Sequence, residues 1–217
     1  MCGILGAYGN KLKSKISSKD IKNGLKSINH RGPDSSGYIF NDKYFLGHTR
    51  LSILDLSRDA DQPMFSENKK WIIVFNGEIY NHNLLRKSLK KKSWNTSSDT
   101  ETILEYISEK SLNEFLKVAN GMFSFALLNK TSNSLYLVRD RLGIKPLYYT
   151  QNNNFLSFGS DINSFFKSNF IKPEIDYEKI PEYLSFRYVL EPNTFFKKIF
   201  CVPSGSYIKI NNKNVKT

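Results

Sequence analysis

The chain has 217 residues and carries a formal net charge of +12 with a pI near 9.5, and a domain of this size buries roughly 70–75% of its unfolded surface without disulfide staples. Two cysteines (Cys2, Cys201) and three histidines (His30, His48, His82) form no closely spaced ligand set, so no metal site is expected. The lysines are scattered and the densest run, 86–92, reads as the solvated face of a helix whose buried side is Leu84, Leu85 and Leu89; with no signal peptide and no apolar run near 18 residues, the expectation is a cytoplasmic protein with no nucleic-acid or membrane partner.

In chain order, residues 2–8 (CGILGAY) form a short apolar segment closed by Gly9-Asn10, which predicts a buried strand with Cys2 at its end. If Met1 is removed, Cys2 carries a thiol of pKa about 8.5 beside an α-amine of about 7.7–8. Nucleophile and general base would then share one residue; otherwise Cys2 is a small buried hydrophobe. Ser17 or Ser18 caps a helix ending near Asn29, with Ile21, Leu25 and Ile28 at helical spacing. A stiff polar loop, HRGPDSSG, follows. Short strands are expected at 38–41 and 44–48, with Arg50 at a strand end as either a surface charge or a clamp for a carboxylate.

Residues 71–75 (WIIVF) are β-branched, apolar and too short for a helix, hence a strand covered on both faces. That strand delivers Asn76-Gly77, either a hairpin turn or a pair of donors, side-chain amide and backbone N–H, able to form an oxyanion hole; the helix expected at 82–91 makes the hairpin less natural. Ser98 and Glu101 fit a capping box for the next helix, in which Asp99 complements the dipole or meets a ligand ammonium. Ser111 with Glu114 repeats the capping pattern. Residues 121–128 and 134–138 read as a hairpin, followed by a charged loop at 139–146, strands at 147–150 and 155–159, a helix at 176–186 involving Pro181, and a last strand at 205–210. No repeat or linker divides the chain, which predicts one α+β domain over 1–217.

Taken together, CGILG, HRGPDSSG, HTRLSILD, FNGEIYN, SSDTE, GMFSFALL, VRDRLGIKPLYY and EYLSFRYV resemble, in order, the glutaminase domain of asparagine synthetases, a class II glutamine amidotransferase. The likeness runs from Met1 to about Ile210, and FNGEIYN is its most specific element. It implies a four-layer α/β/β/α sandwich of the N-terminal nucleophile hydrolase type and hydrolysis of glutamine to glutamate and ammonia without a cofactor. By the same resemblance Cys2 is the nucleophile, and Asn76 with Gly77 forms the oxyanion hole. Arg50 clamps the α-carboxylate, Leu51, Ser52, Ile53 and Leu54 line the pocket, and Glu78 and Asp99 meet the α-ammonium. No Ser-Gly-Gly-x-Asp-Ser loop occurs by Thr217. The expected partner is therefore a separate synthetase (ATP-pyrophosphatase) domain or subunit, which would hold ATP and Mg; the resemblance also admits a homodimer. The alternatives are a stand-alone glutaminase serving another acceptor enzyme, such as one amidating a cell-surface sugar, and an idle domain that binds glutamine or a partner.

Overall fold

A computed structural model describes residues 1–152, 155–211 and 214–216. Strands β1 (Gly3–Gly9), β2 (Ser35–Phe40), β3 (Tyr44–Arg50), β8 (Tyr148–Gln151), β9 (Phe155–Gly159) and β10 (Ile199–Cys201) form one sheet, ordered β10-β8-β9-β1-β3-β2. Strands β4 (Met64–Phe65), β5 (Trp71–Ile79), β6 (Gly121–Asn129), β7 (Ser134–Arg139), β11 (Tyr207–Asn211) and β12 (Asn214–Lys216) form the other, ordered β12-β11-β7-β6-β5-β4. All pairings are antiparallel.

Because side chains alternate between the faces of a strand, each sheet buries both. Ile4, Tyr8 and Leu46 of the first sheet meet Ile72, Val74, Ala126 and Leu128 of the second in an inter-sheet core. The opposite faces carry helices. Leu5, Ala7 and Phe45 pack with Ile21 and Leu25 of α1 (Ser18–Ser27) and Phe165 of α5 (Ile162–Lys167). Ile73, Phe75, Phe123 and Phe125 pack under α2 (His82–Lys87), α3 (Asp99–Glu109) and α4 (Leu112–Val118). The result is the α/β/β/α order that the resemblance implied, with α6 (Ile180–Phe186) lying at the edge without a buried residue.

Several local expectations change. Helix α1 is closed by a capping box between Ser17 and Asp20, whereas Ser98 caps α3 through the Thr100 N–H alone. Glu101 instead accepts from the N–H groups of Asn95 and Thr96 and from Thr96 Oγ1, and pairs with Lys91 at 3.2 Å, so the expected second half of that box is absent. The strands of the β2–β3 hairpin are longer than their apolar cores, because Ser35 and Ser36 pair with Arg50 and Thr49. Helix α2 stops at Lys87 rather than 91. Arg86, read with the lysines as solvated, donates to Thr102, Thr96 O and Ser98 O and stacks on Trp94. Helix α5, capped by Asp161, is an element that the sequence reading lacked.

Gly6 sits on the inter-sheet face of β1 opposite Phe158, whose ring tip would lie 2.1 Å from an added Cβ. Phe158 is fully buried and has no room to retreat. Gly6→Ala is expected to cost about 1–3 kcal/mol through overpacking, read as a lower urea midpoint at unchanged slope.

Candidate functional site

The alternation that builds the core also selects the site residues. On β1, β3 and β5 the even positions face the space between the sheets, as Ile4, Leu46, Ile72 and Val74 show. Cys2, Arg50 and Asn76 continue those rows at one end of the sandwich, where the apolar fill stops. They line a small cleft of about 160 Å³ together with Leu51, Ile53, Leu54, Gly77, Glu78 and Asp99. Drug-sized ligands usually occupy about 300–1,000 Å³, so the cleft suits something of amino-acid size. Ser52 does not line it; its N–H turns away to the carboxylate of Asp34 at 2.8 Å.

Cys2 is half-buried. Its Sγ accepts from the Leu51 N–H at 3.5 Å and lies 3.7 Å from Leu51 O. Burial raises the thiol pKa, while the Leu51 N–H, the chain's amino terminus and Arg50 pull the other way. A thiol in that state needs a base to become a thiolate near neutral pH. Arg31, not singled out from sequence, donates from Nε to Cys2 O at 3.3 Å and fixes the peptide behind the thiol.

Asn76 is 1% exposed, yet neither its Nδ2 nor its Oδ1 has a hydrogen-bond partner among the described residues. Leaving a buried polar group unsatisfied costs about 1–3 kcal/mol, which marks this amide as one held for a ligand. Contrary to the expectation that β5 ends at Phe75, the strand runs through Asn76-Gly77 to Ile79, paired with β6 as Asn76↔Ser124 and Gly77↔Phe123. Phe123 exchanges its own N–H and C=O with Asp140, from the β7 side. Gly77 therefore turns its N–H to the opposite edge of β5, beyond the end of β4 and into the cleft. A Cβ at Gly77 would fall 2.2 Å from Met122 O, so the close approach of the two strands requires glycine.

Arg50 is 7% exposed and reaches over the 55–61 loop. Nη1 donates to Ser57 O at 2.6 Å and to Asp61 at 2.9 Å, and Nη2 donates to Asp55 O. Three of its five N–H groups are thus engaged among the described residues. Asp55, another residue that sequence reasoning passed over, accepts from Ser57 and, across 42 positions, from the N–H and Oγ of Ser97. Those donors, with the Ser57 hydroxyl first, hold its carboxyl well below the usual range. Asp99, at the first turn of α3, accepts from the Ile79 N–H at 2.9 Å. Burial pushes its pKa up to about 6, with Glu78 adding to the rise and the Ile79 and Thr100 N–H groups opposing it. Gln62 and Lys145 are also among the residues lining the cleft; Gln62 lay in a stretch read only as loop.

The glutamine amidotransferase domain family matches residues 1–217. The chain is 38% identical over 218 aligned positions to asparagine synthetase [glutamine-hydrolyzing] 1 of Bacillus subtilis (strain 168), covering 97% of this chain and 33% of that protein. It is 39% identical over 148 positions to asparagine synthetase [glutamine-hydrolyzing] 1 of Arabidopsis thaliana, covering 68% of this chain and 25% of that one. The chain spans a third or less of the length of these relatives. In fold it is similar to glutamine phosphoribosylpyrophosphate amidotransferase from B. subtilis, with a TM-score of 0.72 at 19% identity over 99% of this chain and 48% of that one.

The raised pKa of Asp99 sets a pH dependence. Its carboxylate attracts an ammonium group only when ionised, and below about pH 6 the free protein carries it protonated. Because the folded value lies above the unfolded one, the ionised side chain also lowers stability as pH rises through this window. L-glutamine affinity, measured by calorimetry, is expected to fall between pH 7.5 and 5. Asp99→Asn should bind glutamine weakly with little dependence on pH across that range.

Proposed function

Because this chain belongs to the glutamine amidotransferase domain family, we propose that it hydrolyses L-glutamine to L-glutamate and ammonia through a thioester on Cys2. The observation that carries this reading is the buried, unpartnered Asn76 amide in one cleft with the Cys2 thiol and the Gly77 N–H. Removal of Met1 turns the α-nitrogen of Cys2 from an amide into a base of pKa about 7.7–8. The thiol proton passes to that amine, and the thiolate attacks the side-chain carbonyl carbon of glutamine. The resulting oxyanion takes hydrogen bonds from Asn76 Nδ2 and Gly77 N, donors that are already in place before the charge forms. As the tetrahedral species collapses, the α-ammonium returns the proton to the leaving nitrogen and ammonia departs. Water, deprotonated by the same amine, then opens the thioester; the thiolate recovers the proton and glutamate leaves. Arg50 and Asp99, with Glu78, hold the carboxylate and ammonium of the substrate.

We assign the ammonia to an ATP-dependent amidation of aspartate on a synthetase domain or subunit, as the names of the sequence relatives suggest; ATP and Mg would bind there. The exposed apolar side chains of Tyr183, Leu184 and Phe186 on α6 suit a chain that works against a second unit. We place the protein in the cytoplasm, where an unpaired catalytic thiol stays reduced. No helix among the described residues is long and apolar enough to cross a membrane.

Cys2→Ala is expected to abolish glutamate release while leaving glutamine affinity within about threefold, since the clamp residues remain. Asn76→Ala should lower kcat by about 100- to 1,000-fold, the usual loss for one oxyanion donor. A raised KM at unchanged kcat would remove Asn76 from that role. Intact mass of the active protein is expected to lack Met1. Residues 1–217 alone should release glutamate without ATP and form no asparagine from aspartate and ATP.

A further inference from the structure

The two edge groups of Phe75, the residue before Asn76, are held by side chains rather than by a neighbouring strand. Strand β4 pairs with β5 only through Met64↔Ile73 and Phe65↔Ile72, so the edge of β5 is bare of backbone partners from Phe75 onward. At Phe75 both edge groups are nevertheless satisfied. The N–H donates to Gln62 Oε1 at 2.6 Å, and the C=O accepts from His48 Nε2 at 3.0 Å. A carbonyl only accepts, so His48 carries its proton on Nε2. The imidazole is 1% exposed, and its Nδ1 has no partner among the described residues. His48 rises from the inner face of the first sheet, between Leu46 and Arg50, and bridges to the second. Gln62 continues outward, its Nε2 donating to Thr100 Oγ1 at 3.3 Å beside Asp99.

This arrangement meets two requirements at once. A third ladder pair would fix the Phe75 peptide, but further pairing would also occupy the Gly77 N–H, which lies on the same edge two residues on. Gln62 and His48 instead take the N–H and the C=O of Phe75 itself, both on that edge. They hold the strand immediately before Asn76 and leave the next edge N–H open to the cleft.

Resting on the glutaminase reading above, we infer that His48 and Gln62 are positioning residues for the oxyanion hole: by clamping the two edge groups of Phe75 they keep the Asn76 amide and the Gly77 N–H aligned on the reacting carbonyl. Neither touches the reacting atoms. Their effect should therefore fall on the transition state and spare the ground state, in which the substrate is held at its other end by Arg50 and Asp99.

The test compares H48F, which keeps a ring but removes the donor, with H48Q, whose amide nitrogen can reach the place of Nε2, and with Q62M, which removes the acceptor at similar length. Each is purified alongside the wild type, checked for folding by circular dichroism and melting, and assayed for glutamate release. Glutamate γ-semialdehyde, which adds to Cys2 and places an oxyanion in the hole, serves as probe, with L-glutamate as the ground-state control. In H48F and Q62M, kcat is expected to fall about 10- to 100-fold, the scale of a misplacement near 1 Å, with the KM for glutamine within about threefold. Semialdehyde affinity should fall in parallel with kcat/KM and glutamate affinity should not, and H48Q should recover to within a few-fold of the wild type. Wild-type kcat in a folded H48F or Q62M, a loss confined to KM, or an H48Q no better than H48F overturns the inference while leaving the glutaminase reading intact. Should H48F fail to fold, Q62M and H48Q decide by the same criteria. A wild-type chain that releases no glutamate overturns the glutaminase reading, and this inference with it.

Discussion

Two antiparallel sheets buried on both faces impose a strict parity on this chain, and the site depends on it. With side chains alternating along every strand, a residue on β1, β3 or β5 either enters the inter-sheet core or meets a helix layer. Cys2, Arg50 and Asn76 share the parity of Ile4, Leu46 and Val74, so the fold brings them together from positions far apart in sequence. A slip of one residue in the β5–β6 register would turn Asn76 to the helix side and carry Phe75 into the cleft. The aromatic packing of Phe75, Phe123 and Phe125 under α3 and α4 is therefore as much a condition of the site as the polar residues are.

The same core bears electrostatic costs that a purely structural sandwich would avoid. Among the described residues, Asn76 lies buried with both ends of its amide unmatched, and His48 has a bare Nδ1. Asp99 is a carboxyl buried at a helix N-terminus, where the dipole and the Ile79 N–H only partly offset desolvation. Asn76 and Asp99 line one cleft, and His48 lies buried behind it against Phe75 O. A ligand with an amide oxygen at one end and an ammonium at the other would relieve the two largest of these costs together. Such polar ground-state costs are what a preorganised site looks like before its substrate arrives.

Much of this was legible because it rests on local pattern. The β-branched run at 71–75, the apolar run at 2–8 and the serine caps at 17 and 111 are short-range signals, and the structure bears them out. The errors lie where tertiary pairing overrides a local signal. The apolar run ends at Phe75, where the strand was read to stop before Asn-Gly, yet nine residues of β6 hold β5 straight through that dipeptide. Glu101 has the spacing of a capping partner, yet Lys91 and the Asn95 and Thr96 N–H groups compete for its carboxylate. His48, Gln62 and Asp55 could not be read at all, because each acts on a group 13 to 42 positions away and none belongs to a spacing that predicts such a contact. The roles of Cys2, Arg50 and Asp99 came from a resemblance of ordered motifs, which carries long-range information that periodicity does not.

The division between floor and lip follows from burial. Asn76, Asp99, His48 and Arg50 are nearly inaccessible and anchored in strands or at a helix start, whereas Ile53 and Leu54 are 67% and 42% exposed on the loop that closes the cleft. That loop has little apolar burial of its own, so its position depends on polar ties. Asp55 fastens it to Ser57 and Ser97, and a carboxyl held far below its usual pKa stays ionised throughout the neutral range. Arg50 grips the same loop from below through Ser57 O and Asp55 O. One guanidinium thus joins the rigid floor to the lip and, among the described residues, still has two N–H groups to offer. A carboxylate bound to them would draw on a cation already oriented by the lip, and its binding would then be coupled to lip placement through a single side chain. Lysine could not replace it, because a single ammonium cannot serve the loop carbonyls, Asp61 and a ligand carboxylate at once.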